Sequence, residues 1–211
     1  MGAAHDARLS GGYLLKQSDL ADMDAAATIH RVALNQRLPW LAGLHTPDED
    51  RWFFRERVFP TCTVWGALSK GVTMVGFIAF REGWIDHLYV LPDAQRQGIG
   101  SALLEVARSA FPNLSLWTFQ RNRAARDFYE AKGFVLVRQT DGSGNDEKEP
   151  DALYTWPARP TRDLSESVFL TDGLGNKLSR EYDIGQVVEG WFVEPSLSRD
   201  RALGSAVPER A

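Results

Sequence analysis

Hydrophobic residues in the first sixty positions recur mostly at helical spacing. A short apolar stretch over residues 13–16 predicts a strand, and residues 19–34 predict a helix. Its apolar face would consist of Leu20, Met23, Ala27 and Val32. Residues 47–58 predict a second helix, because Thr46 is a suitable N-cap residue and Pro60 is expected to end it.

The pattern then changes to short runs rich in β-branched and aromatic residues. Residues 61–68 and 72–80 are separated by Ser69-Lys70-Gly71, which predicts a β-hairpin, and residues 84–91 predict a third antiparallel strand. Strict alternation on this third strand would divide its side chains between two faces. One face would carry Trp84, Asp86, Leu88 and Val90, and the other Ile85, His87 and Tyr89.

Helices and strands alternate in the next part of the chain. Helices are predicted over residues 99–110 and 122–132, and strands over 114–119, 134–140 and 151–156. The apolar stripe of the first helix would consist of Ile99, Leu103, Val106 and Ala110. This order of elements predicts an α/β (α+β) fold, with a mixed, mostly antiparallel central sheet flanked by helices.

Two regions of different composition are expected. Residues 12–157 predict one folded domain, and residues 161–211 predict a C-terminal extension. The extension is poor in apolar residues, so we expect either a strand appendage of the domain or a partly ordered segment. Within it, residues 168–178 predict a hairpin and residues 186–193 a strand.

Composition narrows the class of protein. The chain has 211 residues, 44% of them hydrophobic and 25% charged, which is typical of a globular domain. The formal net charge of −4 argues against a nucleic-acid partner. A single cysteine, Cys62, excludes an internal disulfide and a cysteine-rich metal site. Neither a membrane-spanning run nor a signal peptide is apparent, so the cytoplasm is the expected compartment and no membrane partner is expected.

The segment Gln95-Arg96-Gln97-Gly98-Ile99-Gly100 lies between a predicted strand and a predicted helix. Its glycines allow a ligand to approach the backbone closely, and the N–H groups of the first helical turn are not used within the helix. The helix dipole favours an anion at this position. The segment therefore predicts a phosphate-binding turn.

A second segment follows at the correct distance, with Asn122, Ala125, Tyr129, Gly133 and Phe134 at fixed spacing. Asn122 is placed to cap a helix, and Gly133 to end it. The two segments together resemble the Gcn5-related N-acetyltransferases, the GNAT family. The cofactor motif of that family is Gln/Arg-x-x-Gly-x-Gly/Ala, and its second motif has the spacing seen here. The resemblance covers roughly residues 12–157.

The resemblance implies that acetyl-coenzyme A (acetyl-CoA) binds in a V-shaped cleft where strands 4 and 5 of the sheet splay apart, at residues 84–91 and 114–119. It implies that the coenzyme pairs with the backbone near Val90, whose N–H would polarise the thioester carbonyl. The implied coenzyme-binding residues are Leu88, Tyr89, Val90, Gln95, Arg96, Gln97, Gly98, Ile99, Gly100, Ser101, Asn122 and Ala125. Further arginines, Arg121, Arg123 and Arg126, either meet the coenzyme phosphates or form a solvated helix face.

The resemblance also implies two catalytic residues. Tyr129 matches the tyrosine that protonates the leaving thiolate, and the alternative is a core aromatic residue beside Phe128. Asp86 occupies a position where the family often has its general base, and the alternatives are a structural carboxylate or an anchor for the substrate ammonium. The other base position holds Trp117 and Thr118 instead of a glutamate. Three histidines, His30, His45 and His87, are weaker candidates, and a water chain could replace a side-chain base.

The implied reaction is transfer of an acetyl group from acetyl-CoA to a primary amine, by direct attack in a ternary complex and without a metal. A non-catalytic module that senses acyl-CoA is the alternative. The acceptor would be a small-molecule or peptide amine, bound between residues 34–46 and the loop over 141–151. Acidic side chains of that loop, Asp146, Glu147 and Glu149, either attract a cationic amine or are simply solvated. A homodimer is a further expectation from the resemblance.

Overall fold

One mixed β-sheet runs through the protein, whose computed structural model describes residues 7–8 and 12–156. We label seven strands in chain order: β1 Tyr13–Gln17, β2 Thr63–Ser69, β3 Thr73–Arg81, β4 Trp84–Val90, β5 Leu114–Phe119, β6 Val135–Gln139 and β7 Asp151–Trp156. A two-residue strand, Ala7–Arg8, pairs with the outer edge of β1. The expected extension over residues 161–211 lies outside the described residues.

The spatial order of the labelled strands is β1-β2-β3-β4-β5-β7-β6. All neighbouring strands are antiparallel except β4 and β5, which are parallel. The predicted mixed, mostly antiparallel sheet is therefore confirmed.

The two parallel strands share very little backbone hydrogen bonding. Strands β4 and β5 are in register only at Trp84 and Ser115, where the Ser115 N–H donates to the Gly83 carbonyl at 2.7 Å. Farther along β4 the ladder is absent, so the two strands separate. The predicted splay of the fourth and fifth strands is confirmed, and it opens a wedge towards the carboxyl ends of both strands.

The four main helices are α1 Met23–Arg37, α2 Pro47–Phe53, α3 Ile99–Ala110 and α4 Arg123–Ala131. Thr46 caps α2 as predicted, in a reciprocal arrangement with the Glu49 side chain. The helical path continues through a π turn, Phe54–Val58, and a last turn, Phe59–Thr61. Pro60 therefore lies within the helical path instead of ending it, and the chain leaves the helix at Cys62, whose backbone is extended.

Each face of the sheet has its own core. Helices α1 and α2 pack on one face around Met23, Phe54 and Phe77, and α3 packs on the other around Leu103 and Tyr154. Three assignments to the apolar faces were wrong. Leu20 and Val32 are exposed because the buried stripe of α1 follows Met23, Ala26, Ala27, Ile29 and Ala33, and Leu20 lies in the preceding 3-10 turn. The last residue of α3, Ala110, is also exposed.

A β-bulge at Asp86 breaks the expected alternation along β4. Phe80 pairs with Ile85 and Ala79 pairs with His87, so Asp86 has no partner opposite it. Ile85 consequently joins the same core as Leu88 and Val90, and Asp86 lines the same cavity as His87 and Tyr89. The prediction that Asp86 shares a face with Leu88 and Val90 was wrong, because a bulge shifts the side-chain phase by one residue.

The loop between β6 and β7 is held by an internal hydrogen-bond network. The Asn145 side chain donates to the Glu149 carbonyl and to the Asp151 carboxylate, and it accepts from the Glu149 N–H. The Thr140 hydroxyl donates to Asp151 at 2.5 Å. Gly142 has a φ of +80°, and a Cβ there would lie 2.3 Å from the Glu149 carbonyl carbon. The backbone of this loop is therefore fixed by its own sequence.

We expect Gly142→Ala to lower the free energy of unfolding by about 2 kcal/mol or more, because a positive φ and a backbone clash combine. Urea denaturation measures this change. Gly144→Ala is the matched control, since nothing lies within 4 Å of its added Cβ, and its effect should stay within about 0.5 kcal/mol. If Gly142→Ala and Gly144→Ala lower the free energy of unfolding equally, the loop backbone is not fixed at Gly142 as described.

Candidate active site

The turn between β4 and α3 has the geometry of an anion site. Gly98 has a φ of +82° and immediately precedes α3, and Arg96 also has a positive φ of 61°. Among the described residues no side chain caps α3, which leaves the N–H groups of its first turn for a ligand. The structure thus places the predicted segment from Gln95 to Ser101 at the open end of the wedge between β4 and β5.

The two glutamines of this turn hold the turn together. Gln95 donates to the Val90 carbonyl at 2.9 Å and accepts from Arg37 at 2.7 Å. Gln97 accepts from the Tyr13 hydroxyl at 2.7 Å and donates to the Asp93 carbonyl. The turn is therefore connected to β1, α1 and β4. Arg37 is a member of this site that sequence reasoning missed, because it lies far from the motif.

Asn122 and Ala125 lie at the start of α4, on the other side of the wedge. The Asn122 side chain accepts from the Ala125 N–H at 3.3 Å and so caps α4, as its position predicted. Asn122 also lines the central cavity described below. Of the nearby arginines, Arg126 donates to the Tyr154 hydroxyl and the Gln120 carbonyl.

Tyr129 is buried in the core beneath the wedge. Its ring contacts Phe128 and Phe134, with centroids 5.2 and 5.4 Å away. Burial, and secondarily the neighbouring Tyr89, raise the pKa of the Tyr129 phenol above its ordinary value. Both sequence interpretations of Tyr129 are thus compatible with its place: it is a core aromatic residue, and its hydroxyl stays protonated at neutral pH.

The Asp86 carboxylate forms an ion pair with the Arg81 guanidinium. Nη2 of Arg81 lies 3.1 Å from Oδ1 of Asp86, and Nε of Arg81 lies 3.1 Å from Oδ2. The Cys62 thiol donates to the same carboxylate at 3.6 Å. Burial, followed by the charge of Asp86, raises the pKa of Cys62 to about 12, so the thiol remains a donor. Asp86, which occupies the implied position of the general base, therefore already accepts hydrogen bonds from Arg81 and Cys62.

A cavity of about 560 Å³ adjoins the wedge. Its walls come from α1, α2, the loop between them, β4, β5 and the loop before β7. Aromatic side chains form much of the lining: Phe53, Trp84, Tyr89, Trp117 and Phe119. A volume of this size is within the range for small-molecule sites.

Two imidazoles in the cavity wall contact each other and Tyr89. The His30 ring lies 5.8 Å from His87 and 4.8 Å from Tyr89, both edge-on. Burial, and then the neighbouring His87, lower the pKa of His30 to about 3, and burial lowers the pKa of His87 to about 4. Nδ1 of His30 is buried without a hydrogen bond. Both rings are neutral at pH 7, and neither is a strong base.

Some of the charged side chains at the cavity form ion pairs and others do not. Arg31 lies 2.6 Å from Asp50, and Arg81 neutralises Asp86. Asp146 and Glu147 line the cavity, and among the described residues no cation lies within ion-pair distance of either. Glu149, the third acid expected here, turns outside the lining and bonds to Trp40.

Part of the chain is similar to known acetyltransferases. A family model described as "Acetyltransferase (GNAT) domain" matches residues 60–136. The peptidyl-lysine N-acetyltransferase YiaC of Escherichia coli is 36% identical over 90 residues, which cover 42% of this chain and 60% of YiaC. The peptidyl-lysine N-acetyltransferase YjaB of Salmonella typhimurium is 30% identical over 82 residues, covering 39% of this chain and 57% of YjaB. The chain thus spans somewhat over half the length of these relatives.

Solved structures show the same fold. The apo-form of YjaB from Escherichia coli aligns with a TM-score of 0.58 at 21% identity, covering 68% of this chain and 97% of YjaB. The PaiA N-acetyltransferase of Thermoplasma acidophilum, solved in complex with coenzyme A, aligns with a TM-score of 0.53 at 18% identity, with the same coverage. These structures show that the chain has the GNAT fold.

We expect Gly98→Ala to weaken coenzyme A binding by roughly tenfold or more, because the backbone conformation that presents the turn amides is strained for alanine. Isothermal titration calorimetry with coenzyme A measures this change. Gly71→Ala is the control, because Gly71 also has a positive φ of +73° and nothing within 4 Å of an added Cβ, but lies in the hairpin turn between β2 and β3. If Gly98→Ala binds as the unchanged protein does, the turn is not the anion site.

The two imidazoles should make stability depend on pH. Their folded-state pKa values lie below the ordinary 6.5, so the unfolded chain takes up protons first as the pH falls. The free energy of unfolding should therefore decrease from pH 6.5 towards pH 4, by up to about 1.4 kcal/mol per pH unit for each ring. His30→Leu should flatten this slope, and His45→Leu, at an exposed imidazole, should not. The free energy of unfolding is measured by urea denaturation at each pH. If it falls with pH as steeply in His30→Leu as in the unchanged protein, the lowered pKa of His30 is contradicted.

Proposed function

We propose that the protein is an N-acetyltransferase that moves an acetyl group from acetyl-CoA to a primary amine by direct attack in a ternary complex. The observation that carries the proposal is the unpaired wedge between β4 and β5, which has an anion-binding turn at one end and a cavity beside it. Relatives named as acetyltransferases and a neighbour solved with coenzyme A support it.

The free edge of β4 is the proposed track for the coenzyme. The Leu91 N–H donates to Val75 on β3 at 2.8 Å, and successive N–H groups of a strand point to opposite sides. This alternation directs the Val90 N–H towards the wedge, where it would meet the thioester carbonyl. The backbone of Leu88, Tyr89 and Val90 would pair with the pantetheine, and the amides from Gln95 to Ser101 would bind the diphosphate.

Proton transfer is assigned to Tyr129 and Asp86. The raised pKa of the Tyr129 phenol keeps it protonated when the thioester is attacked, so its O–H would be available to hydrogen-bond to the departing thiolate and to give it a proton. Asp86 lies in the cavity wall at the bulge of β4, where it would receive or orient the acceptor amine. Its pairing with Arg81 favours the orienting role over that of a free base.

The acceptor is proposed to be a cationic amine, from a small molecule or a peptide. Aromatic faces attract ammonium groups, and the side chains of Asp146 and Glu147 add negative charge to the same cavity. The names of YiaC and YjaB identify peptidyl-lysine as the acceptor of those relatives.

We further propose that the protein forms a homodimer and acts in the cytoplasm. The edge strand β6 exposes Val135, Leu136 and Val137, which gives the expected homodimer a surface. None of the described helices combines the length and apolarity needed to cross a bilayer. The cytoplasm stays the expected compartment.

The proposed activity is tested by following coenzyme A release from acetyl-CoA across polyamines, aminoglycosides, amino acids and peptides. We expect amine-dependent thiol release from at least one class. Tight binding of acetyl-CoA without release in any mixture would instead support the acyl-CoA sensor.

Tyr129→Phe should lower kcat by roughly a hundredfold while the Kd for acetyl-CoA changes little, because only the proton donor is lost. Steady-state kinetics and calorimetry measure the two quantities. Tyr154→Phe is the control, since it removes the phenol hydroxyl of another buried tyrosine, one that is bonded to Glu130 and Arg126. An unchanged kcat in Tyr129→Phe would remove Tyr129 from the mechanism.

A further inference from the structure

One side-chain contact joins the two loops that flank the cavity. Trp40, in the 3-10 turn Pro39–Leu41 after α1, donates from Nε1 to Oε1 of Glu149 at 2.9 Å. Nη1 of Arg121 lies 3.6 Å from the same oxygen, and its guanidinium stacks over the Trp40 ring at 5.2 Å. These three residues, which we name the loop clasp, come from three separate segments of the chain.

Glu149 is a fixed anchor for the loop clasp. Its backbone is held at both the N–H and the carbonyl by Asn145, and its side chain is only 12% exposed. Its second carboxylate oxygen, Oε2, is buried without a hydrogen bond. The described partners of this buried carboxylate are therefore Trp40 and Arg121, and separating them would leave its charge uncompensated.

The clasp lies at the boundary of the cavity. The residues after Trp40, among them Leu41 and Leu44, line one wall, and Asn145, Asp146 and Glu147 line the opposite wall. Trp40 and Glu149 themselves lie outside the lining. The hydrogen bond between Trp40 and Glu149 therefore holds the two walls of the cavity at a fixed distance from each other.

This geometry points to Trp40 as a specificity-determining residue, an inference that rests on the proposed acetyltransferase function. With the clasp closed, the space between the walls is that of a small-molecule site, about 560 Å³. The acceptor admitted there is a small amine, and a lysine presented by a folded protein is excluded because its neighbouring residues would have to pass between the joined loops. Loss of the Trp40 side chain separates the walls and relaxes this exclusion.

The contact itself is tested without any acceptor. Hydrogen–deuterium exchange of the full chain is compared with that of Trp40→Phe, which keeps an aromatic ring but loses the N–H donor, and of Trp40→Ala. Exchange should increase in both loops, residues 38–46 and 141–150, and more in Trp40→Ala. Trp52→Phe is the control, because Trp52 is about as exposed on α2 as Trp40 is on its turn. Unchanged exchange in Trp40→Ala would overturn the clasp.

The role in specificity is tested with two acceptors, 1,4-diaminobutane and a folded lysine-rich protein such as cytochrome c. The ratio of kcat/KM for the protein to that for the diamine should rise about tenfold or more in Trp40→Ala, with little change in Trp52→Phe. An unchanged ratio, or an unmodified enzyme that prefers the folded protein, would overturn the inference. Absence of coenzyme A release with either acceptor and with the broader amine panel would instead overturn the proposed function, whatever the exchange data show.

Discussion

The structure depends on the loss of backbone pairing between β4 and β5. Neighbouring strands of a sheet normally satisfy each other's N–H and carbonyl groups, but this pair meets only at Trp84 and Ser115. The remaining edge groups of β4 face the wedge between the two strands. An extended ligand with amide groups would complete that edge, which is why the fold is suited to a pantetheine chain.

The order of elements was predictable because each strand and helix carries a strong local pattern. The hairpin before β4, the cap of α2, the cap of α4 and the turn before α3 all follow from residues adjacent in sequence. The bulge at Asp86 could not be predicted, since nothing in the local sequence distinguishes a bulged strand from a regular one. Its consequence is that Asp86 lines the cavity beside His87.

Contacts between distant residues explain the rest of what the sequence did not show. Arg37 reaches Gln95, and Trp40 reaches Glu149, across 58 and 109 positions of the chain. For Glu149 the alternatives were attraction of a cationic amine or simple solvation, but its carboxylate binds Trp40 and Arg121 instead. No pattern of charge or spacing separates such an acid from Asp146 and Glu147, which do line the cavity.

Hydrogen–deuterium exchange of the full chain, with and without acetyl-CoA, shows directly whether the coenzyme binds in the wedge. We expect the coenzyme to slow exchange at Leu88, Tyr89 and Val90 and at the amides from Gln95 to Ser101, and to leave the outer strand β1 unchanged. Binding without protection of these two segments would contradict the wedge as the coenzyme site, and so would the absence of any binding to the folded protein.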